Sequence, residues 1–462
     1  MSHTTNDVQG CLAWMKGIFS KEAGIPLPSK DPFYSERPHI FTSLPAGAIL
    51  RSRQISVIYF PGFDEPPLQA WQVAYKTTAQ NGVTPQVTVL TILRPSTAQP
   101  DSEGKYRILA YGAKCDSAGR NFRTSYALRA GNDYTLGAAS EQIFIAPCLD
   151  RGWIVVVSDY ESETCAFGAG PQSAYAFLDS IRAALAFEPM GVPKSEEGDY
   201  EAKVAMWGYS GGALAVGWAA QQQPTYAPDL TKYLVGASMG GLPSDLKACA
   251  EFTNQQMSAG LIIGIMQGLA NAYPQLQTWL DKNANKLGKA ALLMALTKSF
   301  GTIMKELRGI NILGTYFDVP EPLEVELISS IMQENKLGRK GQFPTTPCQV
   351  YQSLHDQVVP YKTTDDLMVV WSARGARIDY VRDQLSNHVV LCFTGTPLAI
   401  RWMQARFEGE PTIGQPGKPS IETVITILNT NDASSTLGEQ RKKEMYNLLA
   451  KQYIKSGLNW WT

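Results

Sequence analysis

The chain has 462 residues, 44% hydrophobic and 10% aromatic, with only 18% charged against the roughly 25% of an average soluble domain. That balance excludes low-complexity disorder, a collagen-like repeat and a disulfide-stapled mini-fold, and it leaves ample material for a large core. Lysine plus arginine (41) nearly cancels aspartate plus glutamate (42), so no basic face is implied and nucleic acid is not an expected partner.

The beginning of the chain lacks the basic segment, the apolar run of about 7–15 residues and the cleavage site of a signal peptide. Lys16, Lys21 and Glu22 interrupt its apolar residues. The strongest apolar stretch elsewhere, residues 261–265, falls far short of the roughly 20 that span a bilayer. Seven cysteines (Cys11, Cys115, Cys148, Cys165, Cys249, Cys348, Cys392) are widely spread and form no CxxC pair. Such usage suits a reduced compartment, and metal-ligand spacing is absent, so no cofactor is expected. The expectation is a cytoplasmic protein without a transmembrane segment.

After an N-terminal tail, residues 1–30, short β-rich runs alternate with helical ones. Strands are predicted over 87–95, 106–113 and 153–160, then a helix over 174–187. A strand over 203–210, a helix over 211–223 and a strand over 233–238 follow. This alternation, with nearly continuous apolar strands, is the pattern of a mostly parallel central sheet covered on both faces, an α/β architecture spanning 31–242. It stops at Pro243. Residues 243–344 read as helical, which is most economically a cap inserted over the strand ends, with a separate helical domain as the alternative. Strands return at 348–354 and 377–383, placing the last part of the core within 345–410. A Pro/Gly-rich link and a charged helix at about 434–453 make up residues 411–462.

The pattern Gly-x-Ser-x-Gly occurs twice, around Ser210 and around Ser238. A nucleophile on a sharp strand-to-helix turn has strained backbone angles, and glycines two residues away on each side keep side chains from colliding there. Only Ser210 is followed by an uninterrupted small-residue helix, Gly211-Gly212-Ala213-Leu214-Ala215. After Ser238, Pro243 interrupts the helix that an elbow requires. Ser210 is the candidate nucleophile, and Ser238 is expected to be a strand-end turn near the cap.

A serine nucleophile needs a histidine base, and there are four. His3 and His39 precede the strand series, leaving His355 and His388. In the α/β-hydrolase order of Ser, Asp, His, the acid follows one late strand and the histidine the next. Asp356 follows the strand at 348–354, and His388 the strand at 377–383. Ser210, His388 and Asp356 form the expected triad, with Asp383 as the rival acid and His355 as a neighbour of the acid. One oxyanion donor is expected at the N–H of Gly211. The other should lie in the loop near Asp116, where spacing alone does not select the residue.

The chain resembles the fungal secretory lipase family. The likeness runs through Asp31-Pro32-Phe33-Tyr34, residues 46–53, Tyr75-Lys76-Thr77-Thr78, and Gly152-Trp153 to Ser158-Asp159-Tyr160-Glu161. It continues through both serine motifs, Asp356-Gln357-Val358-Val359-Pro360-Tyr361 and His388. The resemblance implies an α/β-hydrolase fold, a mostly parallel central sheet with an inserted helical cap. It implies the triad Ser210, Asp356 and His388, oxyanion donors at Asp116 and Gly211, and secretion as the alternative location. Ser162 stands where the family has a glycine, and Trp371 where a disulfide-bonded cysteine is expected.

The expected activity is that of a serine carboxylic-ester hydrolase acting through an acyl-enzyme on an ester of a hydrophobic small molecule, with a tailoring step of secondary-metabolite biosynthesis as one setting. Acyl transfer by the same triad, true triacylglycerol lipase activity and a catalytically silent binding protein are the alternatives. Met257, Ile262, Ile263, Ile265, Met266, Trp279, Leu292, Leu293 and Met294 suggest a methionine-rich apolar wall above Ser210, most of them also packing the cap onto the sheet.

Overall fold

Ten strands share one sheet in the order β1-β2-β3-β5-β4-β6-β7-β8-β9-β10 in the computed structural model of the chain, which describes residues 24–58, 68–131, 141–339 and 341–455. In chain order the elements are β1 (Ile49–Gln54), β2 (Gln69–Thr78), β3 (Pro85–Arg94), β4 (Tyr106–Gly112), α1 (Thr124–Ala127), α2 (Gln142–Asp150) and β5 (Ile154–Ser158). Then come α3 (Gly170–Leu185), β6 (Ala202–Tyr209), α4 (Gly211–Tyr226) and β7 (Leu234–Gly240). The helices α5 (Leu246–Thr253), α6 (Gly260–Ala272), α7 (Pro274–Asn283), α8 (Lys286–Thr297), α9 (Phe300–Glu306), α10 (Ile312–Thr315) and α11 (Glu326–Glu334) all fall between β7 and β8. The chain closes with β8 (Cys348–Ser353), α12 (Tyr361–Ala373), β9 (Ile378–Asp383), α13 (His388–Thr394), α14 (Thr396–Phe407), β10 (Ser420–Val424), α15 (Asn431–Leu437) and α16 (Glu439–Lys455).

The strands from β4 to β10 run parallel to one another, while β1, β2 and β3 add antiparallel pairs at one edge. Every residue of β5 is buried, as its unbroken Ile-Val-Val-Val run requires of a strand covered on both faces. One apolar layer lies under α3, α4 and the helices between β7 and β8; the other lies under α2, α13 and α14. Close approach of α4 to the sheet depends on its glycines. A Cβ on Gly212 would lie 1.9 Å from the carbonyl oxygen of Gly112 at the end of β4.

Predicted strands and observed strands coincide to within about three residues, but three strands escaped the sequence reading. Gln72 and Thr77 make β2 look polar. Inside the protein Gln72 Nε2 donates to Ser125 O (2.7 Å) and Thr77 Oγ1 to Asp179 Oδ2 (2.8 Å), so both are buried without an unmet hydrogen bond there. The half-exposed edge strand β1 and the short β10 carry too few apolar residues to announce themselves. Thus the segment expected to be a linker supplies an edge strand parallel to β9. The single C-terminal helix is also two, α15 and α16, parted at Gly438 with φ +77°.

Among the described residues, no helix is long and apolar enough to cross a membrane. Their six cysteines are unpaired, and Cys11 lies outside the described residues.

Candidate active site

Ser210 occupies the one residue between β6 and α4, at φ 54° and ψ −122°. Such a left-handed, non-glycine backbone costs roughly 1–3 kcal/mol and persists only where its surroundings enforce it. The enforcing contacts are visible: Ser210 N donates to Gly240 O (2.8 Å), and Leu214 N donates to Ser210 O (2.9 Å). A Cβ on Gly208 would lie 2.3 Å from the main chain of Gly212, so the turn tolerates no side chain there.

His388 is the first residue of α13, after β9, and its Nε2 is 2.9 Å from Ser210 Oγ. On the other side its Nδ1 is 2.6 Å from Asp356 Oδ2. Asp356 follows β8 and is locked in place. Its Oδ1 accepts from Val358 N (2.8 Å) and Val359 N (2.7 Å), and its Oδ2 accepts from Gln352 Nε2 (2.8 Å). The imidazole is aligned from outside too. Gln357 Oε1 accepts from His388 N (2.9 Å), and Tyr209 donates its phenol proton to His388 O (2.6 Å). Tyr209, Gln352 and Gln357 carry no sequence signal that would have marked them.

The other candidates do other work. Asp383 accepts from the main chain of Leu385 and Ser386 and from both the N–H and hydroxyl of Thr426, which ties the turn after β9 to the segment after β10. His355 is exposed and His39 is exposed; His3 lies outside the described residues. Ser238 sits within β7, fully buried, and donates to Gln349 Oε1 on β8 (2.8 Å). It is strand interior, not the expected turn. The glycine that would open a second elbow, Gly236, continues the same strand in register with β6.

Gly211 is the first residue of α4, so its N–H has no partner within the helix. Asp116, at φ +49°, brings its carboxyl directly over Gly211. Its Oδ1 is buried with no hydrogen-bond partner among the described residues, 1.8 Å from where a Cβ on Gly211 would lie. Burial pushes this carboxyl up to about 7, with Glu141 adding to the effect and Lys114 and His388 opposing it. Beside it, the Lys114 ammonium pairs with Glu141 Oε1 (2.6 Å), donates to Cys392 Sγ (3.4 Å) and lies 4.4 Å from the centre of the Phe144 ring.

Ser210, His388 and Asp116 open into a cavity of about 820 Å3. Its apolar wall includes Phe122, Phe144, Phe167, Phe300 and Phe393, with Leu261 and Ile265 from α6. The wall is therefore rich in phenylalanine, not methionine: Met304 is the methionine on it, while the expected Ile262, Ile263 and Met266 are packed in the core and Leu293 is exposed. Among the described residues, no group of three His, Cys, Asp or Glu side chains could hold a metal ion.

Ser162, where the resemblance calls for glycine, adopts φ +63°, the conformation glycine favours, and donates its hydroxyl to Gln86 Oε1 (2.6 Å). Trp371 is buried and donates from Nε1 to Gln221 Oε1 (3.1 Å).

Known proteins resemble this chain over most of its length. The profile of a family described as secretory lipase matches residues 129–415. Lipase 5 of Candida albicans is 34% identical over 397 residues, 84% of this chain and 82% of that protein. A protein named probable inactive lipase from Mycobacterium tuberculosis is 33% identical over 87% of each chain. The X-ray structure of Candida antarctica lipase A in its closed state matches with a TM-score of 0.81 at 25% identity, covering 92% of this chain and 96% of that one.

Proposed function

The chain belongs to the secretory lipase family and has the α/β-hydrolase fold, and from that premise we propose that it hydrolyses esters of hydrophobic molecules through an acyl-enzyme on Ser210. The observation that carries this reading is the continuous relay from Ser210 Oγ through His388 to Asp356, at 2.9 and 2.6 Å, on the floor of an apolar cavity.

In the proposed cycle His388 Nε2 takes the hydroxyl proton as Ser210 Oγ attacks the ester carbonyl. Asp356 holds Nδ1–H and stabilises the imidazolium. The negative charge that develops on the carbonyl oxygen is met by the N–H groups of Gly211 and Asp116, whose effect is larger against an apolar wall than in bulk water. His388 then gives its proton to the departing alkoxide, leaving the acyl group on Ser210. Water, deprotonated by the same imidazole, completes the hydrolysis. In its neutral form the Asp116 carboxyl adds no opposing charge beside the oxyanion.

The aromatic wall suits a bulky apolar acyl or alcohol group. The relatives named above are lipases, which gives the acyl-transfer and secondary-metabolite readings no support. Their family description favours secretion and gives the cytoplasmic reading no support.

A relative named as inactive makes a catalytically silent chain the second reading. One experiment decides. A fluorophosphonate probe should label the protein and the Ser238→Ala variant but not Ser210→Ala, and labelling should block turnover of p-nitrophenyl esters. No labelling of the unaltered protein would establish the silent reading, and labelling that survives Ser210→Ala would overturn the site.

A further inference from the structure

Helix α8 turns an apolar face to solvent. Gly288, Ala291, Leu292 and Ala295 form its buried side, yet Leu287 is 59% exposed, Leu293 60% and Leu296 40%. Lys286 and Lys289 stand on that same exposed side. The stretch of chain that carries it is rich in cations, with Asp318 as an exposed acid held beside Asn283. Residues 281–308 hold six cations (Lys282, Lys286, Lys289, Lys298, Lys305 and Arg308) against two acids, Asp281 and Glu306, in a chain whose net charge is −1. Among the described residues none of the six forms a salt bridge, and Asp281 is engaged with Gln277 (2.8 Å). The C-terminal end of α8 reaches the cavity: Thr297 and Lys298, with Phe300 just beyond, share its lining with Ser210.

We propose that the outer face of α8 docks on an anionic lipid surface. Leucines that reach the acyl region and lysines that meet phosphate headgroups are the two components such a surface selects. Charge argues against a second copy of the chain as the occupant. A twofold contact through this face would set its cations against an identical set. Position argues for lipid as well: the end of the docked helix is part of the wall of the cavity that holds Ser210. This purpose rests on the ester-hydrolase reading, but the docking itself does not require Ser210 to react.

The test uses the full chain carrying Ser210→Ala, sedimented with vesicles of phosphatidylcholine alone or with about a third phosphatidylglycerol, a share that gives a strongly negative surface. Binding should require the anionic lipid and weaken with salt. Lys286→Gln and Lys289→Gln should each lower the partition coefficient about fivefold, and Leu293→Ser should lower it further. In the otherwise unaltered enzyme the same substitutions should leave turnover of soluble p-nitrophenyl butyrate unchanged. Equal binding to both vesicle types, no binding, or undiminished binding by a chain carrying all three substitutions would overturn the proposal. So would a dimer that Leu293→Ser converts to monomer, which would assign the face to a second copy. Anionic vesicle binding by a chain that hydrolyses no ester would refute the proposed function and leave the docking intact.

Discussion

Asp116 Oδ1 stands 1.8 Å from the point that a Cβ on Gly211 would occupy. The two residues whose N–H groups are assigned to the oxyanion are thus in contact, one at φ +49° after β4 and the other opening α4. The contact leaves the acid's oxygen buried beside the place where negative charge must form.

A pH dependence follows from that placement. Burial, first, and Glu141, second among the raising influences, hold the Asp116 carboxyl at about 7. Below that pH the group is neutral; above it, a carboxylate faces the developing oxyanion and raises the barrier. Turnover should therefore fall as pH rises through about 7, and Asp116→Asn, neutral at every pH, should remove that falling limb. A limb retained at the same pH in Asp116→Asn would assign it to another group. The check is kcat against pH for both proteins on one soluble ester.

Gly211→Ala has no room for its methyl group unless Asp116 moves. Displacing one donor residue of an oxyanion site costs on the order of 10²–10³ in kcat. The loss should appear in kcat with little change in KM or thermal stability, because the added methyl meets a side-chain end and not the packed main chain. Near-normal kcat would show that the N–H geometry at Gly211 is not catalytic.

The two late acids should separate cleanly. Asp356→Asn keeps the shape but disrupts the tautomer that His388 needs, so kcat should fall by about 10⁴ with folding intact. Asp383→Asn disturbs a buried carboxylate that accepts from two main-chain groups before β10 and two groups of Thr426. Its cost should appear in stability, on the order of 1–3 kcal/mol, with kcat per folded molecule unchanged. Urea titrations beside active-site-titrated kinetics distinguish the two, and the reverse pattern would exchange the roles.

The candidate site was far more legible than its supports. Ser210, Asp356 and His388 each follow a strand whose apolar run is hard to mistake, and a strand end followed by Gly-Gly-Ala-Leu-Ala leaves little choice of local structure. Chain order then pairs the acid with the base. Ser238, rightly set aside as nucleophile on the strength of Pro243, lies inside a strand and not at its end, because Gly-Ala-Ser-Met-Gly is equally compatible with a continuing strand. What decides is Gln349 on the neighbouring strand, which accepts the serine hydroxyl and is more than a hundred residues distant in sequence. The strand β2 hid behind polar residues whose partners, Ser125 and Asp179, come from elements that periodicity does not connect to it. The cavity wall was misjudged for a similar reason. A helix periodicity says which residues are apolar, but which of them face a void depends on what the loop before α9 brings opposite.

Helix α6 allows that last distinction to be measured. Leu261 and Ile265, one turn apart, line the cavity, while Ile262 and Ile263 point into the packed layer and are fully buried. Leu261→Ala and Ile265→Ala should enlarge the pocket and shift the preference along a p-nitrophenyl ester series, each by roughly 1–3 kcal/mol in kcat/KM between short and long acyl chains. Ile262→Ala removes the same kind of side chain from the core and should cost about 2–5 kcal/mol of folding stability without altering that preference. The comparison needs only kcat/KM across the series and one unfolding curve per variant. A shift in acyl preference from Ile262→Ala, with none from Ile265→Ala, would mean that the substrate does not lie along the face of α6 that closes over Ser210.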